Sequence, residues 1–528
     1  MKLQVRDVPP RSVWALEQSG VHPLLARLYA ARGVHDAKQM DPSLGQLLAP
    51  AGLKGIHAAA QLLADAIAKQ LRLCIVADYD CDGATACALA LRGLTLLGAQ
   101  HLSFIVPDRV VDGYGLTPEI AQRVHATGAQ VLITVDNGIA SVTGVEEAKR
   151  LGLQVLITDH HLPGSELPTP HALVNPNQPG CSFESKSMAG VGVMFYVLLA
   201  LRAELRGRGV FAKETEPKLD GLLPLVALGT VADVVSLDAN NRRMVSQGLL
   251  RMRKGQMPAG LAALFKVAAR DATQASSQDM GFALGPRINA AGRLSDMTLG
   301  IECLRTDDTE LAWRLAQQLD TINRERRSME GDMREQALLI AESLMDSEEI
   351  APAALCVFDE DFHEGVVGII AGRLKDLHYR PCFVFASSQS QGQAVLKGSG
   401  RSIAGFHLRD ALDAIAKRHP NLLLRFGGHA MAAGCTLLED DLATFELALQ
   451  DIATQWLDAA TLAQTLATDG SLPLAYLRPD MVKHLQAQVW GQGFAQPMFQ
   501  DTVNVLSQKI VGEKHLSLKL QMHGQLVD

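Results

Sequence analysis

The chain has 528 residues, of which 48% are hydrophobic and 20% charged, and its formal net charge is −8. A chain of this length is expected to form about three or four domains. It contains no apolar run of about 18 residues and no apolar segment near its N-terminus, so we expect neither a membrane span nor a secretory signal. The 8 cysteines are scattered, which favours a reduced, cytoplasmic protein.

The first half of the chain has the pattern of an α/β protein. Residues 1–50 are predicted to form a helical N-terminal extension. From residue 51 to about 265, short apolar runs typical of strands alternate with longer segments typical of helices. This alternation favours a mostly parallel sheet covered by helices, and we place the domain at residues 51–300.

Three carboxylates follow the first predicted strand of this domain. Leu73–Ala77 is an apolar run of the right length for a buried parallel strand, and Asp78, Asp80 and Asp82 come directly after it. The next segment is apolar at helical spacing, so the acids lie in the turn between a strand and a helix. Ligands of open α/β sheets bind at that edge. Because anions this close repel one another, a bound divalent cation is the expected reason for the arrangement.

Further apolar segments downstream also end in acids or histidines. Val131–Val135 runs into Asp136, Val155–Thr158 into Asp159-His160-His161, and Leu222–Val231 into Asp233. A single Asp in such a place could simply cap the following helix. The whole set, with a pair of histidines, instead predicts one functional site.

The ligand types in this set indicate the metal and the chemistry. Carboxylates with one or two imidazoles suit Mn²⁺ or Mg²⁺ better than a structural zinc ion. So many acids could hold two metal ions that share a carboxylate. Such metal pairs activate water and stabilise a phosphoryl transition state, so the residues point to phosphoester hydrolysis.

The second half of the chain is predicted to contain a long helix, a second α/β lobe and a β-rich tail. A charged, proline-free pattern predicts a connecting helix at residues 301–348, and Thr321–Glu335 has too few large apolar residues for a buried helix. The second lobe is placed at residues 349–460. Alternating strands near the end predict a small β-barrel at residues 461–528, which we expect to be truncated or incomplete.

Arginines among glycines recur at three places in this half. The segments are Gly285–Arg293, Gly398–Ser402 and Arg425–Gly434. We expect loops in which backbone N–H groups and a guanidinium bind a phosphate together. The alternative for any one of them is a tight turn with a solvated arginine.

These motifs carry a family resemblance. Asp78-Tyr-Asp-Cys-Asp-Gly83, Asp136-Asn-Gly138, Asp159-His-His161 and Asp233 resemble the four motifs of the DHH phosphoesterase superfamily. The three arginine segments and His363–Gly365 resemble the RecJ branch of that superfamily, and the tail resembles the OB-fold of that branch. The match spans about residues 50–455, with every motif in order.

The resemblance implies an activity and a set of site residues. It implies a 5′-to-3′ exonuclease that releases mononucleotides from single-stranded DNA with Mn²⁺ or Mg²⁺, in DNA repair and recombination. Carried onto this chain, one metal ion would be held by Asp80 and Asp136 with Asp78 nearby. The other would be held by Asp82, Asp136, His160 and Asp233. His161 would face the scissile phosphate.

The resemblance also implies substrate contacts and partners. Arg109, Ser399 and Arg401 would bind the 5′-phosphate. The strand backbone would be contacted by Arg287, Arg293, Arg425 and His429. A single-stranded-DNA-binding protein is the implied partner, and we expect a monomer.

Several alternatives remain open at this level. A DHH phosphodiesterase acting on short oligonucleotides or cyclic dinucleotides is the rival enzyme, and a non-catalytic DNA-binding scaffold is the rival from another class. Selection of single strands is hypothesised to come from a narrow cleft between two lobes. Asp159 is expected to orient His160 rather than to bind metal, and Tyr79 and Tyr114 are expected to pack.

Overall fold

The computed structural model describes residues 2–108, 112–212, 214–346, 351–390, 393–458, 461–512, 515–522 and 524–527. The chain divides into two compact units. The larger unit comprises Leu3–Pro286, Gly300–Ala316 and Leu466–Asp528, and the smaller unit comprises Met1–Lys2, Arg287–Leu299 and Gln317–Thr465.

The N-terminal extension contains a strand that the sequence did not predict. Its elements are β1 (Lys2–Val5), α1 (Pro10–Gln18) and α2 (Pro23–Ala30). In the larger unit, the residue that follows α2 by two positions, Arg32, forms a bidentate ion pair with Asp469, at 2.8 Å and 2.9 Å. Both side chains are buried, so the extension is part of the folded unit rather than an appendage.

A parallel sheet forms the centre of the larger unit. In chain order the elements are α3 (Ile56–Ala68), β2 (Leu73–Ala77), α4 (Cys81–Leu96), β3 (Leu102–Ile105), α5 (Pro118–Ala126), β4 (Val131–Val135), α6 (Val142–Arg150), β5 (Gln154–Thr158) and β6 (Ala172–Val174). The described strands are ordered β3-β2-β4-β5-β6 and pair in parallel. Every residue of β2 and β4 is buried, as expected for strands covered by helices on both faces.

After β6 the larger unit continues as helices, so the expectation that strands alternate to about residue 265 is wrong beyond Val174. The helices are α7 (Gly190–Gly207), α8 (Leu223–Ala232), α9 (Ala239–Arg253), α10 (Ala259–Val267) and the short α11 (Ser277–Asp279), followed by a π-helical turn at Met280–Leu284. The core of α7 and nearly all of α8 are buried on every side. An apolar run without a polar face does not distinguish a strand from a buried helix.

The long helix is observed, but one of its faces is buried. After α12 (Gly285–Leu294) and α13 (Thr298–Arg305), α14 spans Thr309–Asp346. Asp320, Asn323 and Arg326 on α14 are buried, although none is apolar. Arg326 contacts Asn323 and Glu330 within the helix. The helix was predicted to be solvated because it has few large apolar residues. Its buried face instead includes polar side chains that contact one another.

The sheet of the smaller unit is mixed. Its elements are β7 (Leu355–Phe358), α15 (Val367–His378), β8 (Cys382–Ser390), β9 (Gln393–Arg401), α16 (Leu408–Arg418), β10 (Arg425–Gly428), β11 (Ala432–Leu437) and α17 (Leu442–Trp456). The described strands are ordered β10-β11-β9-β8-β7, and only β7 and β8 pair in parallel among them.

The expectation that these three arginine segments are loops is wrong. Gly285–Arg293 lies in α12, Gly398–Arg401 lies in β9, and Arg425–Gly434 forms a hairpin of β10 and β11. The glycines of β9 serve packing instead: a Cβ on Gly398 would lie 2.3 Å from the Phe385 ring, and one on Gly400 would lie 2.5 Å from the Phe383 ring.

The tail is β-rich, as predicted. It contains β12 (Thr465–Thr468), which pairs with β1, then α18 (Pro479–Gln486), β13 (Asn504–Val511), β14 (His515–Met522) and β15 (Gln525–Val527). Among the described residues of the tail, β13, β14 and β15 form an antiparallel sheet. No described helix is both long and apolar enough to cross a membrane.

Candidate metal centre and anion-binding residues

The acids predicted at strand ends meet at one edge of the parallel sheet. Ala77 of β2 pairs with Val135 of β4, which in turn pairs with Thr158 of β5. The residues that follow these three strand ends therefore emerge side by side. Asp233 reaches the same place from the C-terminal end of α8.

Ligand atoms converge within this edge. Three groups each have their ligand atoms within 4.8 Å of one another. The groups are Asp78, Asp80 and Asp136; Asp82, His160 and Asp233; and Asp136, His160 and His161. All seven metal and catalytic residues predicted in this part of the chain are thus brought together, with Asp136 shared by two groups.

Close backbone approaches hold Asp82 in place. Asp82 is fully buried, and its carboxylate accepts hydrogen bonds from the backbone N–H groups of Gly190 and Val191 at 2.6 Å and 3.0 Å. These N–H groups begin α7, where the helix dipole favours an anion. A Cβ on Gly190 would lie 2.5 Å from Asp136 Oδ1, and one on Gly229 would lie 2.8 Å from Asp82 Oδ1. Neither glycine was predicted from the sequence.

Asp136 has a left-handed backbone conformation, with φ +64°. Asp and Asn tolerate this region better than other residues with a Cβ. Its N–H donates to the Thr158 carbonyl at 3.0 Å, which ties the turn to the neighbouring strand. The conformation lets a residue just beyond β4 turn its carboxylate into the cluster.

The electrostatics of the cluster fit a bound cation. Burial, followed by repulsion from neighbouring carboxylates, raises the pKa of Asp82 and Asp136 well above the ordinary value, and that of Asp233 to about 7. Asp136 Oδ1 and Asp233 Oδ2 are buried and accept no hydrogen bond from the described residues, although His160 Nε2 lies 3.1 Å and 3.4 Å from them. Buried carboxylate oxygens that accept no hydrogen bond, next to an imidazole nitrogen, suit Mn²⁺ or Mg²⁺.

Asp159 orients His161, not the ring of His160 as expected. The Asp159 carboxylate lies 2.7 Å from His161 Nδ1, and it accepts the backbone N–H groups of His160 and Ile139 at 2.7 Å and 2.8 Å. Although burial alone would lower the pKa of His161, Asp159 raises it to about 9. Burial would likewise raise the pKa of Asp159, but the hydrogen bond from His161 keeps it below the ordinary value. The contact with Asp159 therefore favours the protonated form of His161.

Three further residues support the histidines and were missed by sequence reasoning. The Tyr114 hydroxyl lies 3.1 Å from both His161 Nδ1 and the Asp136 carbonyl. Asn175 donates to the His161 carbonyl at 3.0 Å, and Asn177 to the His160 carbonyl at 2.6 Å. Asn175-Pro-Asn177 directly follows β6, so polar residues at another strand end were the available signal.

The predicted substrate-binding residues that the structure describes lie in the smaller unit. Arg401 Nη1 donates to Ser399 Oγ at 3.2 Å, and both lie at the first turn of α15, where a Cβ on Gly368 would come within 2.8 Å of Ser399 Oγ and 3.0 Å of Arg401 Nη2. Arg425 and His429 are exposed in the β10–β11 hairpin. Arg109 lies outside the described residues.

Two of the predicted substrate arginines have partners within the smaller unit. Arg287 is buried, and its guanidinium contacts Asp320 at 2.9 Å. Arg293 Nη1 donates to the Gly365 carbonyl at 3.2 Å. Arg287 therefore has a structural partner, which the sequence did not indicate.

Known sequence families match successive parts of the chain. The DHH family, N-terminal domain, matches residues 72–230, the DHHA1 domain matches residues 351–456, and the RecJ OB domain matches residues 468–528. The parallel sheet and its cluster of acids and histidines define a metal-dependent phosphoesterase of the DHH class.

Individual relatives narrow this class. The "Single-stranded-DNA-specific exonuclease RecJ" of Dickeya dadantii (strain 3937) is 47% identical over 504 residues, which cover 95% of this chain and 87% of the relative. Its namesake from Escherichia coli (strain K12) is 45% identical over 505 residues, with the same coverage. The crystal structure of RecJ in complex with Mn²⁺ from Thermus thermophilus has a TM-score of 0.83 at 29% identity, and the match covers 99% of this chain and 73% of that one. The chain belongs to the RecJ family.

Proposed function

We propose that this protein is a single-stranded-DNA-specific exonuclease that degrades DNA from the 5′ end, releases mononucleotides and acts in DNA repair and recombination. The observation that carries the proposal is the convergence of the acids and histidines into three metal-ligand groups. Asp136 belongs to two of these groups, and so does His160. The names of the relatives support the choice of substrate.

The ligand groups support a distribution of two cations, Mn²⁺ or Mg²⁺. Asp78, Asp80 and Asp136 would hold one, and Asp82, Asp136, His160 and Asp233 would hold the other. When bound, the cations would supply an activated water and neutralise charge on the phosphoryl oxygens.

The chain's own residues would orient the substrate around that centre. His161, protonated and positioned by Asp159, would donate a hydrogen bond to a non-bridging phosphate oxygen. Ser399 and Arg401, with Arg109, would bind the terminal 5′-phosphate. The remaining backbone phosphates would be contacted by Arg287, Arg293, Arg425 and His429. Guanidinium groups suit this role because they pair with two phosphate oxygens at once.

Digestion of single-stranded DNA labelled separately at each end tests the proposal. With Mn²⁺, early loss of the 5′ label by the wild type and no loss with Asp136→Ala is the expected result. Duplex DNA should be left intact. Digestion of a dinucleotide but not of long DNA would contradict the proposal and favour the small-substrate phosphodiesterase.

Location, assembly and domain limits are part of the same proposal. None of the 8 cysteines, all of which the structure describes, forms a disulfide, which supports a reducing cytoplasm. A monomer and a single-stranded-DNA-binding protein as partner rest on the family resemblance, and light scattering and co-purification with that protein would test them. Limited proteolysis would test the proposed domain limits at residues 50, 300, 348 and 460.

A further inference from the structure

One face of α14 carries exposed arginines in a row. Arg324, Arg327 and Arg334, called here the arginine row, are all exposed, and the Arg324 side chain is 76% exposed. At 3.6 residues per turn, their spacing places them on one side of the helix. Glu325 and Asp332 are turned away from the centre of that side by more than about 100°, and Glu335 lies at its border. The row lies entirely within the smaller unit.

A shared carboxylate lies at one end of the arginine row. Asp320 Oδ2 is 2.5 Å from Arg324 Nη2, and Asp320 Oδ1 is 2.9 Å from Arg287 Nη2. Asp320 is buried, so it has little room for a further cation. Burial lowers the pKa of Arg287, Asp320 opposes this, and repulsion from Arg327 and Arg324 makes a smaller contribution to the lowering. Two guanidiniums thus share one carboxylate at this end of the row.

Glu330, a further acid of α14, is also paired. Glu330 contacts Arg326 at 2.7 Å and Arg373 of α15 at 3.3 Å. Neither of those arginines belongs to the row. Arg327 and Arg334 therefore add positive charge to the surface of a protein whose net charge is −8. Phosphate groups of a polyanion match such a surface.

The row is continuous with the anion-binding residues proposed above. Arg287 and Arg293 lie on the same helix, α12. Arg293 reaches the Gly365 carbonyl, just before α15 begins at Val367. The first turn of α15 approaches Ser399 and Arg401 through Gly368. Contacts inside a single unit thus lead from the 5′-phosphate residues to the row.

We propose that the arginine row binds the backbone phosphates of nucleotides beyond those held near the 5′ end. The inference rests on the proposed function, since it takes single-stranded DNA as the ligand. The exposed guanidiniums of Arg327 and Arg334 gain phosphate contacts without having to break a buried ion pair, whereas Arg324 is already paired with Asp320. The row should therefore strengthen binding of long substrates without taking part in cleavage.

A pair of matched double variants tests this role. Arg327→Ala with Arg334→Ala removes two charges from the row and leaves the Asp320 ion pairs intact. Lys417→Ala with Arg418→Ala removes the same charge from two exposed positions of α16, a helix of the same unit. Arg327→Lys with Arg334→Lys keeps the charge of the row. Circular dichroism and thermal unfolding establish that each variant is folded.

The readouts separate binding from cleavage. Kd for single-stranded DNA of about 30 nucleotides is measured by anisotropy in EDTA, and KM and kcat are measured with Mn²⁺ on substrates of about 4 and about 30 nucleotides. The Arg327/Arg334 alanine variant should bind long DNA about tenfold more weakly. Its kcat, and its KM for the short substrate, should equal those of the wild type. The slope of log K against log[salt] should become shallower by about 1.4, because two phosphate contacts are lost. The lysine variant should retain most of the affinity.

The results that would contradict this inference differ from the result that would contradict the proposed function. Long-DNA affinity equal to that of the wild type, or equal weakening in the α16 control, would overturn the inference. Equal weakening on short and long DNA would overturn it too, because the row is assigned to distant nucleotides. Failure of the proposed function would appear separately, as a wild type that cleaves neither substrate.

Discussion

The charged side chains near the two sheets of this protein differ in whether they have partners of opposite charge. The parallel sheet of the larger unit collects carboxylates at its edge, and no described Lys or Arg forms an ion pair with Asp82, Asp136 or Asp233. In the smaller unit, basic side chains near the mixed sheet have acidic partners, such as Lys397 with Glu364 at 2.9 Å and Arg373 with Glu330 at 3.3 Å. One region is built to need external cations, whereas in the other several basic side chains already have acidic partners.

This difference explains why the two regions should respond differently to substitution. Removing an acid from the metal centre removes repulsion as well as a ligand. Substituting a residue in the anion-binding region changes the shape of the phosphate-binding site and its affinity for phosphate. The experiments below test that contrast, beginning with the largest expected effect.

Asp136→Asn should abolish metal binding at the site while preserving the fold. Asn tolerates the left-handed conformation of residue 136. We expect activity to fall more than about 100-fold, since even residues that only support metal ligands cost 10–100-fold. The metal-free variant should be more thermally stable than the wild type, because one buried, repelled negative charge is gone.

Thermal unfolding in EDTA and in Mn²⁺ measures this effect. The wild type should be stabilised by Mn²⁺ and the variant much less so. Asp361→Asn, at an exposed acid, is the control and should behave as the wild type. Undiminished stabilisation of Asp136→Asn by Mn²⁺ would show that Asp136 is not a shared ligand.

Asp159→Asn should cost about 10–100-fold in kcat. The amide keeps one acceptor oxygen but cannot both accept from the Ile139 N–H and hold the proton on His161. Because Asp159 supports the site without binding metal, stabilisation by Mn²⁺ should persist. Loss of that stabilisation, as expected for Asp136→Asn, would instead identify Asp159 as a ligand.

Gly368→Ala should raise KM for 5′-phosphorylated DNA about tenfold, an overpacking cost of about 1.4 kcal/mol. The added Cβ would lie 2.8 Å from Ser399 Oγ and 3.0 Å from Arg401 Nη2, so both must shift. DNA with a 5′-hydroxyl should be affected less.

Gly372→Ala provides the matched control one turn further along α15. Its Cβ would meet only the Arg401 Cγ, at 4.0 Å, which is an ordinary contact. KM should therefore stay at the wild-type value. Equal KM changes in the two alanine variants would point to a general effect on the helix rather than on a phosphate pocket.

Tyr114→Phe should have the smallest effect, a fall in kcat of about fivefold. The substitution removes only the hydroxyl that contacts His161 and the Asp136 carbonyl, and one hydrogen bond contributes about 1 kcal/mol. Steady-state kinetics with Mn²⁺ measures the effect. An unchanged kcat would mean that Asp159 alone orients His161.

Elements with a regular pattern were predictable, and elements defined by packing were not. The strands ending at Ala77, Val135 and Thr158 were identified from short apolar runs followed by acids. The strand character extended to about residue 265 was wrong because α7 and α8 are buried on nearly every side. The arginine loops were wrong because glycines next to arginines were taken for turns, whereas Gly398 and Gly400 make room for Phe385 and Phe383.

The sequence by itself determined which acids meet at the edge of the parallel sheet. Each follows an apolar segment, and the ends of neighbouring parallel strands must meet at one edge of a sheet. Only the tertiary structure decided how those charges are held. Asp82 is bound by the N–H of Gly190, 108 residues away, and Arg287 by Asp320, 33 residues away. Such pairs depend on how distant helices pack, and no local pattern in the chain records that packing.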